Sequence, residues 1–289
     1  MDYGGLVKKA LDIMWKFKYL WIFGFFLEFG SSGGGVVNFQ DKIKLPIGDY
    51  IRGDFLEGAL MGLIIMLLLV AFLVFVVFLI MYIISQGGLV HCVWRINQGE
   101  KSTLRDGWDA GVKNFWRVLG IAVMVIIFML VAVMVTLLPF VASLIAFKLV
   151  GLITGFIFLP IFLALLVTIL LVDLFAIRTC VIEGKGVFDS LAAGWNMFRN
   201  NLGPSLIVAL IGIGSTMVYF FGFVAVGVLL ILPFIAMAAI NLFTGIALGG
   251  MVGLIYIGIV SALWGTYIDS LWTLAYLDIK KLQDQKATA

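Results

Sequence analysis

An all-α, polytopic helical membrane protein of about six spans, folded as three hairpins, is the class this chain predicts. Three observations carry it. First, residues 58–90, 118–147, 149–172 and 200–268 contain no Asp, Glu, Lys or Arg, and each stretch exceeds the roughly 20 apolar residues a helix needs to cross a bilayer. Second, 63% of the residues are hydrophobic and 12% charged, against about 25% charged in a soluble domain; so much apolar surface cannot be hidden from water. Third, the apolar runs are continuous rather than alternating, which selects helices over the strands of a closed barrel.

The elements follow in order. A first apolar segment covers 13–29; Lys16 and Lys18 interrupt its start and Glu28 its end, so it is either a short tilted span or a re-entrant or interfacial helix. Residues 30–57 form an outer loop with a Ser-Gly-rich linker at 30–36. The second span lies within 58–94, the third in 118–138, the fourth in 151–177, the fifth in 205–232 and the sixth in 247–277. Outer turns are expected at 139–150, around Pro139 and Lys148, and at 233–246. Fifteen of the 19 Lys and Arg residues gather at 8–18, 95–117, 178–199 and 280–286. The positive-inside rule puts those segments and both termini in the cytoplasm, where they meet anionic head groups.

The chain is read as one membrane domain, 1–289, that repeats itself. Gly107-Trp108 and Asn114 align with Gly194-Trp195 and Asn201. Pro139, Gly151 and Gly155 align with Pro233, Gly245 and Gly249. The same basic element leads each pair of spans, so the repeats are parallel rather than inverted. The N-terminus, with KKALDIMWKFKYLW, is a degenerate third copy, giving units 1–97, 98–183 and 184–289.

Each Gly-Trp element reads as an amphipathic entry helix at the membrane interface. Over 102–117, with a cap at Ser102 or Thr103, Leu104, Trp108, Val112, Phe115 and Trp116 share a face, while Asp106, Asp109 and Lys113 lie away from it. In the later copy Leu191, Trp195 and Phe198 do the same. Tryptophan favours that depth, so Trp108 and Trp195 are interfacial anchors, with partner docking as the alternative. Asn114 and Asn201, at the junctions, would cap a helix start or touch a ligand.

Polar groups inside the spans are costly and often functional. Asp173 lies in the fourth span and Asp269 in the sixth; the repeat register carries Asp173 onto Gln86 in the second. These three are the candidate cavity or ion path, at similar depth, one per hairpin. The competing reading makes them fold-stabilising: Asp173 paired with Arg178, Asp269 hydrated near the interface with Lys280 beyond. Gly151 and Gly155 form one face of small residues, and Gly245, Gly249 and Gly253 another, for tight packing between hairpins or for hinges. His91, the single histidine, reads as a hydrogen-bonded structural residue or a proton-handling one.

Several classes are excluded or unsupported. Cys92 and Cys180 are too few for a disulfide scaffold and have no zinc-ligand spacing. No nucleophile elbow, zincin helix or phosphate loop occurs, so no catalytic residue, metal or cofactor is assigned, and no cleavable targeting peptide is expected. Nucleic acid is not an expected partner; membrane lipids are, with protein partners and oligomeric state left open.

On the Gly107-Trp108…Asn114 and Gly194-Trp195…Asn201 segments, each followed by a long span, the chain resembles the glycerophosphoryl diester phosphodiesterase membrane-domain-like superfamily and related bacterial integral-membrane families. The resemblance implies this architecture over most of the chain and a bacterial plasma membrane. It implies no phosphodiesterase activity, which in those families belongs to a separate soluble domain. The expected function is a noncatalytic scaffold, sensor or lipid-organising protein. The alternative is a small permease using Gln86, Asp173 and Asp269; an enzyme ranks last.

Overall fold

The structure, a computed structural model of the chain, describes the backbone of residues 1–31, 54–146 and 148–288, and side chains within 1–29, 62–145 and 154–285. Most of the expected outer loop at 30–57 lies outside these residues. Among them, nine α-helices and one π-helical segment follow one another without a strand. Five helices are long and apolar enough to cross a membrane: Gly62–Asn97, Leu104–Ile145, Thr154–Glu183, Leu202–Ile240 and Leu242–Gln285. This is a multi-pass membrane protein.

The first apolar segment is not one helix. Helix α1 (Tyr3–Lys16) starts at Asp2, whose carboxylate accepts a hydrogen bond from the Gly5 amide at 3.0 Å, and buries Leu6, Ala10, Ile13 and Met14 on one side. The chain breaks at Phe17, and α2 (Leu20–Ser31) follows. The Trp21 indole spans the break, donating to the Met14 carbonyl at 2.8 Å. The 12 described residues of α2 reach about 18 Å, against a hydrocarbon core of about 30 Å, and the residues that follow lie outside those described.

Helix α3 covers Asp54–Asn97. Helix α4 (Leu104–Ala132) opens on a capping box in which Thr103 and Asp106 satisfy each other's backbone amides, the arrangement that best uses a helix's free first-turn donors. Here the entry segment and the span form one unbroken helix. A π-helical segment (Val133–Leu137) and α5 (Leu138–Ala146) continue it, so the turn expected from residue 139 falls after Ala146. Pro139 is tolerated because it lies in the first turn of α5, just past the π segment, where a missing N–H costs least. Helix α6 (Lys148–Glu183) contains Pro160 and ends at Gly184, whose positive φ of 69° suits a residue without a Cβ.

Helix α7 (Val187–Asn200) is the later entry helix, and here the chain does break, at Asn201. Helix α8 (Leu202–Ile240) runs through Pro233, and Asn241 alone separates it from α9 (Leu242–Thr288). The turn expected over 233–246 thus contracts to one residue. Lipid offers the backbone no alternative hydrogen-bond partner, so helix persists past a proline that would end it in water.

The entry helices are arranged cyclically. Helix α1 packs on α9, α4 on α3 and α7 on α6, and α3, α6 and α9 touch one another. Close approach is built on glycine, as expected where dispersion rather than hydrophobicity drives helix association. A Cβ on Gly88 would lie 2.7 Å from the Gly107 carbonyl oxygen, one on Gly87 3.1 Å from Gly111 Cα, and one on Gly194 2.8 Å from the Val172 carbonyl oxygen. Helix α2 meets α9 through Gly24 and Gly265, and the Thr266 hydroxyl donates to the Leu20 carbonyl at 3.1 Å.

The core sits at this entry-helix end. Ile83, Leu89, Val93, Val118, Ile121, Phe175, Cys180, Leu271 and Tyr276 are buried there. Farther along, residues 62–75 of α3 are exposed on every side, and most of 217–259 in α8 and α9 is exposed, although those two helices stay in contact through Phe223 and Tyr256. The result is a closed collar carrying apolar arms.

The glycine faces read from the sequence act within hairpins instead of between them. Gly155 packs on Phe140 of α5, Gly245 on Ala238 and Gly249 on Phe234 of α8, while a Cβ on Gly253 would meet nothing within 4 Å. The surroundings of Gly151 lie outside the described side chains. Spacing within one helix fixes a face but not its partner, and the contacts between units use Gly24, Gly87, Gly88, Gly107, Gly111, Gly194 and Gly265.

Candidate functional site: a polar hub and apolar clefts

The polar groups of three long helices converge where the collar closes. Tyr82 and Gln86 on α3 are one turn apart, and the Gln86 side-chain amide donates to the Tyr82 hydroxyl at 2.8 Å. Tyr82 lies within electrostatic reach of Asp173 and Arg178 on α6 and of Asp269 on α9. Direct contact among these groups is made by two pairs, Gln86 with Tyr82 within α3 and Arg178 with Asp269 between α6 and α9, where the three long helices touch.

Arg178 organises it. Its side chain is 2% exposed and forms an ion pair with Asp269, itself 14% exposed; a second guanidinium nitrogen donates to the Leu174 carbonyl at 2.9 Å. The expected pairing of Arg178 with Asp173 is not made. Five residues advance a helix by about 500°, which leaves the two side chains roughly 140° apart around α6, so Arg178 turns to α9. Asp269 is accordingly paired rather than hydrated, and Lys280 bonds Glu183 instead, at 2.5 Å.

A polar column leads from the hub toward the basic end. The Thr179 hydroxyl donates to the Phe175 carbonyl at 2.9 Å and contacts the Tyr276 hydroxyl at 3.2 Å; Tyr276 donates to Glu183 at 2.7 Å. Glu183 also holds Lys185 at 2.7 Å. On α9 the Thr273 hydroxyl returns to the Asp269 carbonyl at 2.8 Å. Within the hub three buried atoms have no hydrogen-bond partner: Asp173 Oδ1, Arg178 Nε and Asp269 Oδ2. Sequence reasoning missed Tyr82; its position one turn before Gln86 is the available signal, because i and i+4 share a helix face.

Three clefts surround the collar, each between an entry helix and the hairpin it packs on. The first, about 560 Å³, lies among α4, α6 and α7 and is lined by Val125, Phe128, Val135, Leu165, Leu191 and Trp195 among others. The second, about 580 Å³, lies among α1, α8 and α9, with Leu11, Met14, Val218 and Trp264. The third, about 490 Å³, lies among α2, α3 and α4, with Phe26, Met81 and Trp108, and carries Arg105 and Asp109 at its edge. Gln86, Asp173 and Asp269 line none of them.

The two entry-helix tryptophans face outward. Trp108 is 41% and Trp195 45% exposed; Leu104, Val112 and Trp116 continue the exposed stripe of α4, and Gly107, Gly111 and Asn114 form the buried one. Asn114 and Asn201 are buried, but neither caps a helix start. Each donates to the carbonyl four residues earlier, Ala110 at 3.0 Å and Met197 at 3.2 Å. Helix α4 is continuous through Asn114, so no free amide exists there; Asn201 bonds back to α7 and makes no side-chain cap on α8.

Cys92 and Cys180 are free and buried, and His91 lies against Trp94, ring centroids 5.6 Å apart. Among the described residues no group of three or more His, Cys, Asp or Glu side chains could hold a metal ion. No protein-family model, no curated protein and no solved structure matches this chain.

Proposed function

We propose that this protein is a noncatalytic membrane scaffold that organises lipid around a rigid collar. One observation carries the reading: three clefts of similar size lie under the entry helices, each holding a tryptophan, two of them walled almost entirely by apolar side chains and the third carrying Ser85, Arg105 and Asp109 among its walls. Their volumes fall in the range of small-molecule sites. A site without convergent polar groups selects for shape and apolarity, which suits an acyl chain entering from the surrounding bilayer. The adjacent basic segments supply attraction for anionic head groups. The threefold recurrence also supports descent of the collar from three parallel units, and the resemblance to the phosphodiesterase membrane-domain-like superfamily stays a proposal about architecture.

Brominated phospholipids test the reading, because bromine quenches tryptophan only at contact. In a variant retaining Trp195 alone, lipids brominated along the acyl chain should quench its emission more strongly than they quench a variant retaining only Trp116, which is 77% exposed and lines none of the three clefts. Equal quenching would mean an ordinary lipid boundary and would remove the scaffold reading's support.

A second reading, a small permease, is favoured by the convergence of Tyr82, Gln86, Asp173, Arg178 and Asp269. It requires that Asp173→Asn and Asp269→Asn abolish solute flux in proteoliposomes at unchanged expression. Retained flux in both variants would exclude those carboxylates from any path.

A further inference from the structure

We propose that the cleft among α2, α3 and α4 binds a phospholipid whose headgroup carries both a phosphate and a primary ammonium. The inference rests on the lipid-organising reading above and adds a headgroup preference to it. Charge is the first ground. Arg105 and Asp109 are the only Asp, Glu, Lys or Arg side chains lining any of the three clefts. They stand one turn apart on α4, with Arg105 Nε 3.9 Å from Asp109 Oδ2, and both side chains are open, 89% and 69% exposed. That separation is too long for a hydrogen bond, so the guanidinium and the carboxylate do not saturate each other. A cation and an anion held side by side at the mouth of an apolar cleft match a zwitterion. The planar guanidinium presents paired N–H donors to phosphate oxygens, and the carboxylate accepts from an ammonium. The same pair discriminates between headgroups. A phosphate without an amine would leave Asp109 facing negative charge, and a quaternary ammonium has no N–H to donate to it.

The second ground is the order of groups along the cleft. Gly88 on α3 stands level with Gly107 on α4, between Arg105 and Asp109 in sequence, and the Phe23 ring of α2 lies against both glycines. Met81, which lines the same cleft, is seven residues before Gly88, about 10 Å farther from the basic end of α3. Phe26 also lines it and packs on Phe78 of α3, ring centroids 5.9 Å apart, deeper again. Trp108 lies between the charged pair and this apolar floor in the wall of the cleft, and an indole favours the boundary between headgroups and acyl chains. Charged pair, indole and apolar floor thus follow one another as headgroup, glycerol region and acyl chain do in a phospholipid. The other two clefts offer the apolar part alone, so headgroup selection belongs to this one.

The test uses the full chain in phosphatidylcholine bilayers doped with a small, fixed fraction of chain-brominated phosphatidylethanolamine, phosphatidylcholine or phosphatidylglycerol. The readout is the quenching of Trp108, taken as the difference between wild type and Trp108→Phe. Phosphatidylethanolamine should occupy the cleft about two- to fivefold more than either other lipid, the factor an exposed charge pair contributes. Asp109→Asn should bring it down to the phosphatidylcholine level, and Arg105→Gln should remove the preference as well. Both residues are exposed, and an i,i+4 surface pair adds little to stability, so these variants keep the fold. If Trp108→Phe does not fold, total quenching in wild type against Asp109→Asn gives the same comparison. Equal quenching by the three headgroups would overturn the proposal, as would a phosphatidylethanolamine preference that survives Asp109→Asn. A preference for phosphatidylglycerol would also overturn it, since Arg105 would then act without Asp109. None of these results alters the comparison of Trp195 with Trp116, so the headgroup inference can fail while the lipid-organising reading stands, and equal quenching of Trp195 and Trp116 marks the failure of that reading separately.

Discussion

Removing the Asp269 charge is the perturbation whose consequence the structure fixes best. Arg178 is 2% exposed, and its only ion-pair partner among the described residues is Asp269. In Asp269→Asn the guanidinium stays where it is, buried, with an amide in place of its carboxylate. Breaking a buried pair by removing one partner costs about 3–5 kcal/mol, because the remaining charge loses its direct partner. A polar contact alone inside a membrane is worth far less, about 0.6 kcal/mol on average, since the unfolded chain in lipid finds other partners. The two readings of the contact, a true ion-pair lock or one more interhelical hydrogen bond, therefore differ several-fold. At roughly 2–4 °C per kcal/mol for a chain of this class, the lock predicts a midpoint lowered by on the order of 10 °C. Cys92 and Cys180 are both free and 0% exposed, so a thiol-reactive fluorogenic dye reports unfolding of the collar directly. A double substitution, Arg178→Met with Asp269→Leu, should recover most of the loss, because well-packed apolar residues replace both charges. An Asp269→Asn midpoint within about 2 °C of wild type would refute the lock.

Three further outcomes follow from the packing. Gly194→Ala would set a methyl 2.8 Å from the Val172 carbonyl oxygen, so the same dye assay should show a loss of about 1–3 kcal/mol. Gly253→Ala meets nothing within 4 Å, and should be neutral or more stable by about 0.5–1 kcal/mol from helix propensity; a loss there would mean that face has a partner. Thr103→Ala breaks the capping box of α4 and should cost about 1 kcal/mol, with faster backbone amide exchange confined to the first turn of α4.

What could be read from the sequence was what lipid enforces. A bilayer leaves the backbone few choices, so the long uncharged runs had to be helices, and a cap at Ser102 or Thr103 was enough to expect where α4 starts. Local chemistry failed where lipid changes its weight. Pro139 and Pro233 read as turns by the rules of water and lie inside helices here. The segment 13–29 divides between two helices, α1 and α2. Its apolar content resembled a span, but Leu6, Ala10, Ile13 and Met14 already form an amphipathic stripe that starts a helix at residue 3 and ends it before Lys18. The partnerships were the hardest part. The repeat register could carry Asp173 onto Gln86, and Asp269 could be set at a similar depth, without saying which way each faced. The helical angle between residues 173 and 178, available from the sequence alone, argues against the local pair and sends Arg178 elsewhere. That it goes to Asp269 depends on α6 and α9 approaching each other, and their approach depends in turn on glycines at 24, 87, 88, 107, 111, 194 and 265 that bring the rest of the collar together. Those contacts join segments remote in sequence, with no periodicity to betray them. The hub is thus a consequence of the collar: its charges can sit in a membrane because small residues elsewhere draw three helices close enough to enclose them.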